Sequence, residues 1–270
     1  MNDLLSDWGL WQRAAGLSER TISERRATME LLFSMTGAPP DALTPRHIVE
    51  FLGRPGLTAT SKSTYHATIR AYCKWCTATD VRLDNPADKT PIPRRPRLPP
   101  RPLPNEDLRK LLAVRAEPRT AMMILLAAAH GMRVHEIAKV RGEHFADGRQ
   151  RIHGKGDATK VIPVHPEVMK KMHHFPREGY WFSGETPDTC IRTDAVRRAI
   201  YRAMKRAGVK GSPHMLRHWF GTSLLESGAD LRTVQELMRH ESIASTEIYT
   251  LVTSERKSEA MHRLKMPNAA

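Results

Sequence analysis

Apolar residues in the first eighty positions recur every three or four places, and the runs they mark predict four helices, at residues 4–15, 18–35, 44–52 and 61–79. Gly37, Pro39 and Pro40 fall between the second and third runs, where neither residue type continues a helix. A small all-α unit follows from this pattern. Residues 90–104, TPIPRRPRLPPRPLP, then carry too many prolines for a helix or for sheet pairing and predict an extended, semi-rigid spacer. Beyond it the helical period returns, over 105–116, over 118–130 up to a break at Gly131, and again from Arg133. Residues 149–166, RQRIHGKGDATKVIPVHP, alternate with period two on either side of 154–158. A β-hairpin is therefore expected to interrupt the helices, with Lys155 at its tip. Helices follow at 167–173, 193–207, 213–226 and 231–239, and a last pair at 245–251 and 255–264. The whole reads as a mainly α protein of two domains, 1–89 and 105–270, joined by the 90–104 linker.

Composition adds a partner to this outline. Lys and Arg number 43 against 29 Asp and Glu, a formal net charge of +14 that suits a polyanion, nucleic acid above all. Arg20, Arg25, Arg26, Lys62, His66, Arg70 and Lys74 give the helices of the first unit basic faces. Arg25, Lys62, Arg70 and Lys74, with Arg94 and Arg95 in the spacer, are the candidate contacts to a DNA backbone. A proline-rich ligand for an aromatic groove is the other reading of 90–104, but the overall charge favours a basic strap on DNA. No membrane partner is expected, because the one long apolar run, AMMILLAAA at 121–129, is far short of the roughly 20 residues a span needs. The start, MNDLLSDWGL, has no basic segment followed by an apolar run, so a cytoplasmic setting is expected. Cys73 and Cys76 form CKWC inside a helical pattern without a βαβ context, and are read as buried structural thiols rather than a redox pair.

Chemistry concentrates in SPHMLRHWF, residues 212–220. Ser212 suits a helix N-cap and Pro213 the first helical position, so His214, Arg217 and His218 share one face beside the unpaired N–H groups of a helix start. That face suits an anion, phosphate above all. Two histidines at i, i+4 also match half of a zinc-protease helix, yet Met215 stands where that motif needs glutamate and no ligand-spaced partner is nearby, so no metal is predicted. The GKG at 154–156 lacks the spacing of a phosphate-binding P-loop. Two further stretches carry charged residues together, HGMRVHEIAKV at 130–140 and MRHESIASTEIYT at 238–250.

Taken in order, an arginine, a hairpin lysine, His-x-x-Arg, a histidine and then a tyrosine nine residues on, the chain from Leu4 to Lys257 resembles the tyrosine recombinases, or phage integrase family. The resemblance implies an all-α, SAM-like core-binding domain followed by a mostly α catalytic domain with a small β-hairpin or sheet. Under it, Arg133 matches the first arginine, Lys155 the hairpin lysine, His214 and Arg217 the His-x-x-Arg box, His240 the second histidine and Tyr249 the nucleophile. Two departures stand out: the family usually has Leu-Gly-His where this chain has Met238, Arg239 and His240, and often Thr-Gly where it has His130 and Gly131.

These residue types belong together for a chemical reason. A phosphodiester under attack gathers charge on its non-bridging oxygens, and two guanidiniums, Arg133 and Arg217, can fork those oxygens without losing their own charge. Each such donor is worth roughly 3–4 kcal/mol by analogy with oxyanion holes, so the pair can stand in for the divalent metal of other phosphoryl-transfer enzymes. Ionising Tyr249 at pH 7 costs about 4 kcal/mol, which calls for a proton acceptor. His214 is the candidate base, Lys155 the acid for the departing 5′ oxygen, His240 a donor to the phosphate, and Glu136 an orienting residue one turn beyond Arg133. A covalent 3′-phosphotyrosine conserves the broken bond, so neither ATP nor any other cofactor is expected. The resemblance implies double-stranded DNA as partner, a tetramer on two recombining sites with a monomer when free, a tail helix packed on a neighbour, and accessory DNA-bending or directionality proteins. The chain starts directly at the helical unit, which leaves no room for an arm-binding domain. A phage or mobile-element integrase is the leading reading and a Xer-like dimer resolvase the alternative. A helix-turn-helix regulator without catalysis would have no use for Lys155, His214 and Tyr249 together, and a type IB topoisomerase shares the chemistry without site choice.

Overall fold

The computed structural model describes residues 2–94, 101–153 and 159–239. The chain divides into two compact units, Met1–Leu98 and Pro99–Ala270. In the first unit, α1 (Asn2–Ala14), α2 (Glu19–Thr36), α3 (Pro45–Gly53) and α4 (Ala59–Ala78) are followed by a single 3₁₀ turn, Pro86–Lys89. Hydroxyl caps set three of the starts: the side chains of Ser18, Thr44 and Thr58 accept the backbone N–H groups of Thr21, His47 and Ser61. The Thr58 cap explains why α4 begins at Ala59, two residues before the apolar pattern does. Gly37, with φ of 66°, closes α2 in the left-handed conformation.

The apolar faces of these helices meet around Tyr72, whose ring packs edge-on against Trp8 and Phe33 at centroid separations of 5.2 and 5.8 Å. Met29, Leu32, Ile48, Phe51 and Ile69 complete this core. Cys73 and Cys76 are free and buried within it. Burial pushes the Cys73 thiol up to about 12, so it fills space and does not ionise. His66 departs from the basic face expected of it: it is 4% exposed, and its Nε2 lies 3.0 Å from the Thr90 hydroxyl. Its place one turn before Arg70 suggested a surface charge, but the α4 face that carries it turns inward.

The second unit is built around α6 (Pro118–Ala129), an apolar helix whose residues from Met122 to Ala128 are all buried. Packed on it are α8 (Pro166–Met172), α9 (Thr193–Arg206) and α10 (Pro213–Glu226), with α5 (Asn105–Ala113), α7 (Val134–Ala138) and α11 (Leu231–Met238) completing the helices. Pro118 biases Glu117 towards extended backbone, so α5 stops at Ala113, three residues short of the sequence expectation. A three-stranded antiparallel sheet runs in the order β1 (Phe145–Ala146), β2 (Arg149–His153), β3 (Thr159–Pro163). β2 and β3 pair from Arg149 with Pro163 to His153 with Thr159, which turns Ile152 and Ile162 together into the core. β1 was not predicted; two residues are too few to display a period. Residues 245–251 and 255–264, predicted helical, lie outside the described residues.

Candidate active site

The site is assembled where the α6–α7 loop, the start of α10 and the end of α11 meet. α6 ends at His130, and Gly131 follows with φ of 54°. A Cβ on Gly131 would drive into the Phe220 ring of α10, so the residue is glycine for two reasons, the left-handed backbone and the close approach. Arg133 then caps α7. Its backbone N–H donates to Glu136 Oε2 at 2.8 Å, and its Nη1 donates to Glu136 Oε1, also at 2.8 Å. Glu136 thus closes the first turn of α7 and fixes the Arg133 side chain, which remains about one-third exposed while Glu136 is almost wholly buried.

Arg217, on the second turn of α10, is 2% exposed. Its Nη1 donates to the Gly131 carbonyl and its Nη2 to the Met238 carbonyl, so one guanidinium joins the α6–α7 loop to the last residue of α11. His214, three residues earlier on the same face, is accessible at the rim. Its ring meets that of His218 edge-on at 4.2 Å between centroids. Desolvation by the surrounding protein, then the charges of Arg217 and Arg133, lower its pKa from the ordinary 6.5. The imidazole is therefore neutral at pH 7, the state a proton acceptor requires. Burial works against the Glu136 carboxylate, but the charges of Arg239, Arg133 and Arg217 and the Arg133 N–H outweigh it, leaving its pKa below normal and the group ionised. Arg133, Glu136, His214 and Arg217 are thus brought together.

Arg239 has a role that the sequence reading left undefined. It caps α11 in the left-handed region, φ 56° and ψ 46°, and its side chain is 5% exposed. Nη1 donates to the carbonyls of His130 at 3.1 Å and Leu237 at 2.7 Å. Nη2 donates to the Gly131 carbonyl and to Glu136 Oε2, each at 3.0 Å. The two places where the chain leaves the family motif, His130 and Arg239, are thereby in contact. The His130 ring, 1% exposed, accepts the His165 N–H at Nε2 over 2.9 Å and so donates from Nδ1 to Gln150 Oε1 on β2. Desolvation lowers its pKa to about 4, so it is a neutral tie between the first-arginine loop and the strand leading to the hairpin.

Lys155, His240 and Tyr249 lie outside the described residues, as does Arg95. β2 and β3 fix the backbone on both sides of 154–158, and Arg239 immediately precedes His240. In the first unit, Arg25 is half-buried and donates to Gln12 Oε1 at 3.0 Å. Lys62 is half-buried and Arg94 exposed. Arg70 and Lys74 line a shallow groove on α4 together with Ala71, Thr77, Asn85 and Asp88, and Arg70 pairs with Asp88 at 2.8 Å. The helix expected at 193–207 is α9, and its exposed face carries Arg197, Arg198, Tyr201, Arg202, Lys205 and Arg206, which the sequence reading did not count among the DNA contacts. The signal was present as basic residues at helical spacing. Among the described residues, no group of three or more His, Cys, Asp or Glu side chains is placed to hold a metal ion, and no helix is long and apolar enough to cross a membrane.

A helical domain with a small antiparallel sheet thus brings Arg133, Arg217 and a neutral His214 near one another, an arrangement with the charge and hydrogen-bond donors to hold a phosphate. The sequence profile of the phage integrase family matches residues 101–256, and the chain belongs to that family. It is a tyrosine recombinase, a site-specific DNA recombinase by class. Among its relatives, the tyrosine recombinase XerA of Pyrococcus furiosus is 28% identical, the match covering 98% of this chain and 95% of that protein. The integrase of mycobacterium phage Brujita is 43% identical and aligns in structure with a TM-score of 0.53, over 99% of this chain and 94% of that one. A lambda integrase tetramer bound to a Holliday junction shares the fold at 17% identity, with a TM-score of 0.73 over 88% of this chain and 76% of that one.

Proposed function

We propose that the protein integrates phage or mobile-element DNA by cutting and rejoining double-stranded sites through a 3′-phosphotyrosine at Tyr249. The observation that carries the reading is that Arg133, held by the buried Glu136 carboxylate, and Arg217 lie close enough for their charges to act both on that carboxylate and on the neutral His214 ring. Arg133 and Arg217 hold the non-bridging oxygens of the scissile phosphate and stabilise the charge that builds there. Neutral His214 accepts the Tyr249 proton as the phenol attacks phosphorus. The bond to the 5′ oxygen breaks, Lys155 supplies the proton to that oxygen, and His240 donates a hydrogen bond to the phosphate. A 5′ hydroxyl from another strand reverses the step.

Arg25, Lys62, Arg70, Lys74, Arg94 and Arg95 of the first unit contact the DNA backbone in this reading, joined by the basic face of α9. The working form is a tetramer on two sites that is monomeric when free, acting in the cytoplasm with DNA-bending or directionality proteins. The helical unit over 1–89 binds DNA, residues 90–104 connect it, and residues 105–270 hold the chemistry. Incubating the protein with a nicked DNA that traps the covalent intermediate tests the chemistry. An adduct must form with the wild type and vanish with Tyr249→Phe while DNA binding persists; an adduct surviving in Tyr249→Phe removes the assignment. Similarity to XerA along nearly the whole chain favours dimer resolution as the second reading. Sequencing the adducts recovered from cells separates the two: attachment-site junctions mark integration, and a replication-terminus site marks resolution.

A further inference from the structure

Arg239 occupies a position that costs the chain something twice. An L-residue in the left-handed region is strained, where glycine would be free of strain. A buried ion pair is moreover no better for stability than well-packed apolar groups. Yet the side chain is 5% exposed and spends donors on three carbonyls and on the carboxylate of Glu136.

The explanation lies with the charge on Glu136. That carboxylate, with 1% of its side chain exposed, already takes the Arg133 Nη1 at 2.8 Å and feels Arg217. If Arg133 and Arg217 were its only partners, its negative charge would cancel one of the two positive charges offered to the phosphate. Arg239 supplies a third cation on Glu136 Oε2, the oxygen that also takes the Arg133 backbone N–H. It simultaneously ties the His130 and Gly131 carbonyls to the residue that precedes His240. We propose that Arg239 is a positioning residue of the recombination site, which compensates the Glu136 charge and clamps the first-arginine loop so that Arg133 keeps its full charge and its aim for the scissile phosphate. This inference rests on the function proposed above.

The test uses the full-length chain and the nicked trapping DNA at saturating concentration, reading the single-turnover rate of adduct formation alongside DNA affinity. Arg239→Gly relieves the backbone strain and removes the cation. It is expected to slow adduct formation about tenfold or more while DNA affinity stays within about threefold. Adding Glu136→Gln to Arg239→Gly removes the uncompensated charge. The double variant should be faster than Arg239→Gly alone, a sign of coupling that a merely structural cap would not give. Arg239→Lys keeps the charge without the guanidinium's fork and should be faster than an Arg239→Met control while staying slower than wild type. A wild-type rate in Arg239→Gly, losses that simply multiply in the double variant, or an Arg239→Lys as slow as an Arg239→Met control would each overturn the proposal. A wild-type protein that forms no adduct at all would instead remove the functional reading beneath it.

Discussion

Gly131→Ala puts a methyl group into the Phe220 ring at a residue whose φ is 54°. The left-handed conformation costs an alanine about 1 kcal/mol relative to glycine. Overpacking adds about 1–3 kcal/mol, because Phe220 is only 8% exposed and packs with Val234 and Met238, so it has nowhere to retreat without disturbing them. A total destabilisation of about 2–4 kcal/mol is expected, read as a lower urea midpoint with an unchanged slope. Phe220→Leu in the Gly131→Ala background should recover the steric share and leave the backbone share, giving a favourable coupling of at least about 1 kcal/mol. The Gly131 carbonyl also accepts from Arg217 and Arg239, so adduct formation should fall by more than the unfolded fraction explains. A Gly131→Ala protein within about 0.5 kcal/mol of wild type would refute the reasoning that backbone and packing together dictate this glycine.

Acid should weaken the second unit through His130. Its folded pKa of about 4 lies below the ordinary 6.5, so the stability of the neutral ring is complete above pH 6.5 and is lost as pH falls towards 4. Between pH 7 and 5 the loss from this group is about 2 kcal/mol. Stability curves at the two pH values should differ by that much less in His130→Gln, and an unchanged difference would exclude His130 as the source. In the first unit, Lys74→Ala is expected to lower the slope of log affinity for DNA against log salt by about one while leaving stability within about 0.5 kcal/mol. An unaltered slope in filter-binding titrations would take Lys74 out of the DNA contact.

Elements with long apolar periods and side-chain caps were legible directly: α2 was expected over 18–35, and it runs from Glu19 to Thr36 between a Ser18 cap and Gly37. What failed depended on tertiary context. The inward turn of His66 is decided by which face of α4 meets the Pro86–Lys89 turn, and that is not written in the spacing of basic residues. β1 is too short to carry a pattern. Within the site, His-x-x-Arg and the Arg133–Glu136 spacing gave the residue types and their helices. The partners of Arg217 are backbone carbonyls 86 and 21 positions away along the chain, and no sequence motif records a carbonyl. Arg239 was visible as a departure from a glycine, but its bond to Glu136 spans 103 positions and requires the fold.

Under the proposed chemistry Arg217 offers its charge to the phosphate while locked to Gly131 and Met238, so the same side chain is both rivet and electrode. Replacing it with alanine would take the Arg217 donor from the Met238 carbonyl and leave the Gly131 carbonyl to Arg239 alone, so under the proposed chemistry a dead variant there would say little about which loss came first. Half-open Arg133 is the cleaner place to ask what one positive charge is worth to this reaction. Any change at position 217 meant to alter the reaction also resets the joint between the α6–α7 loop and the end of α11.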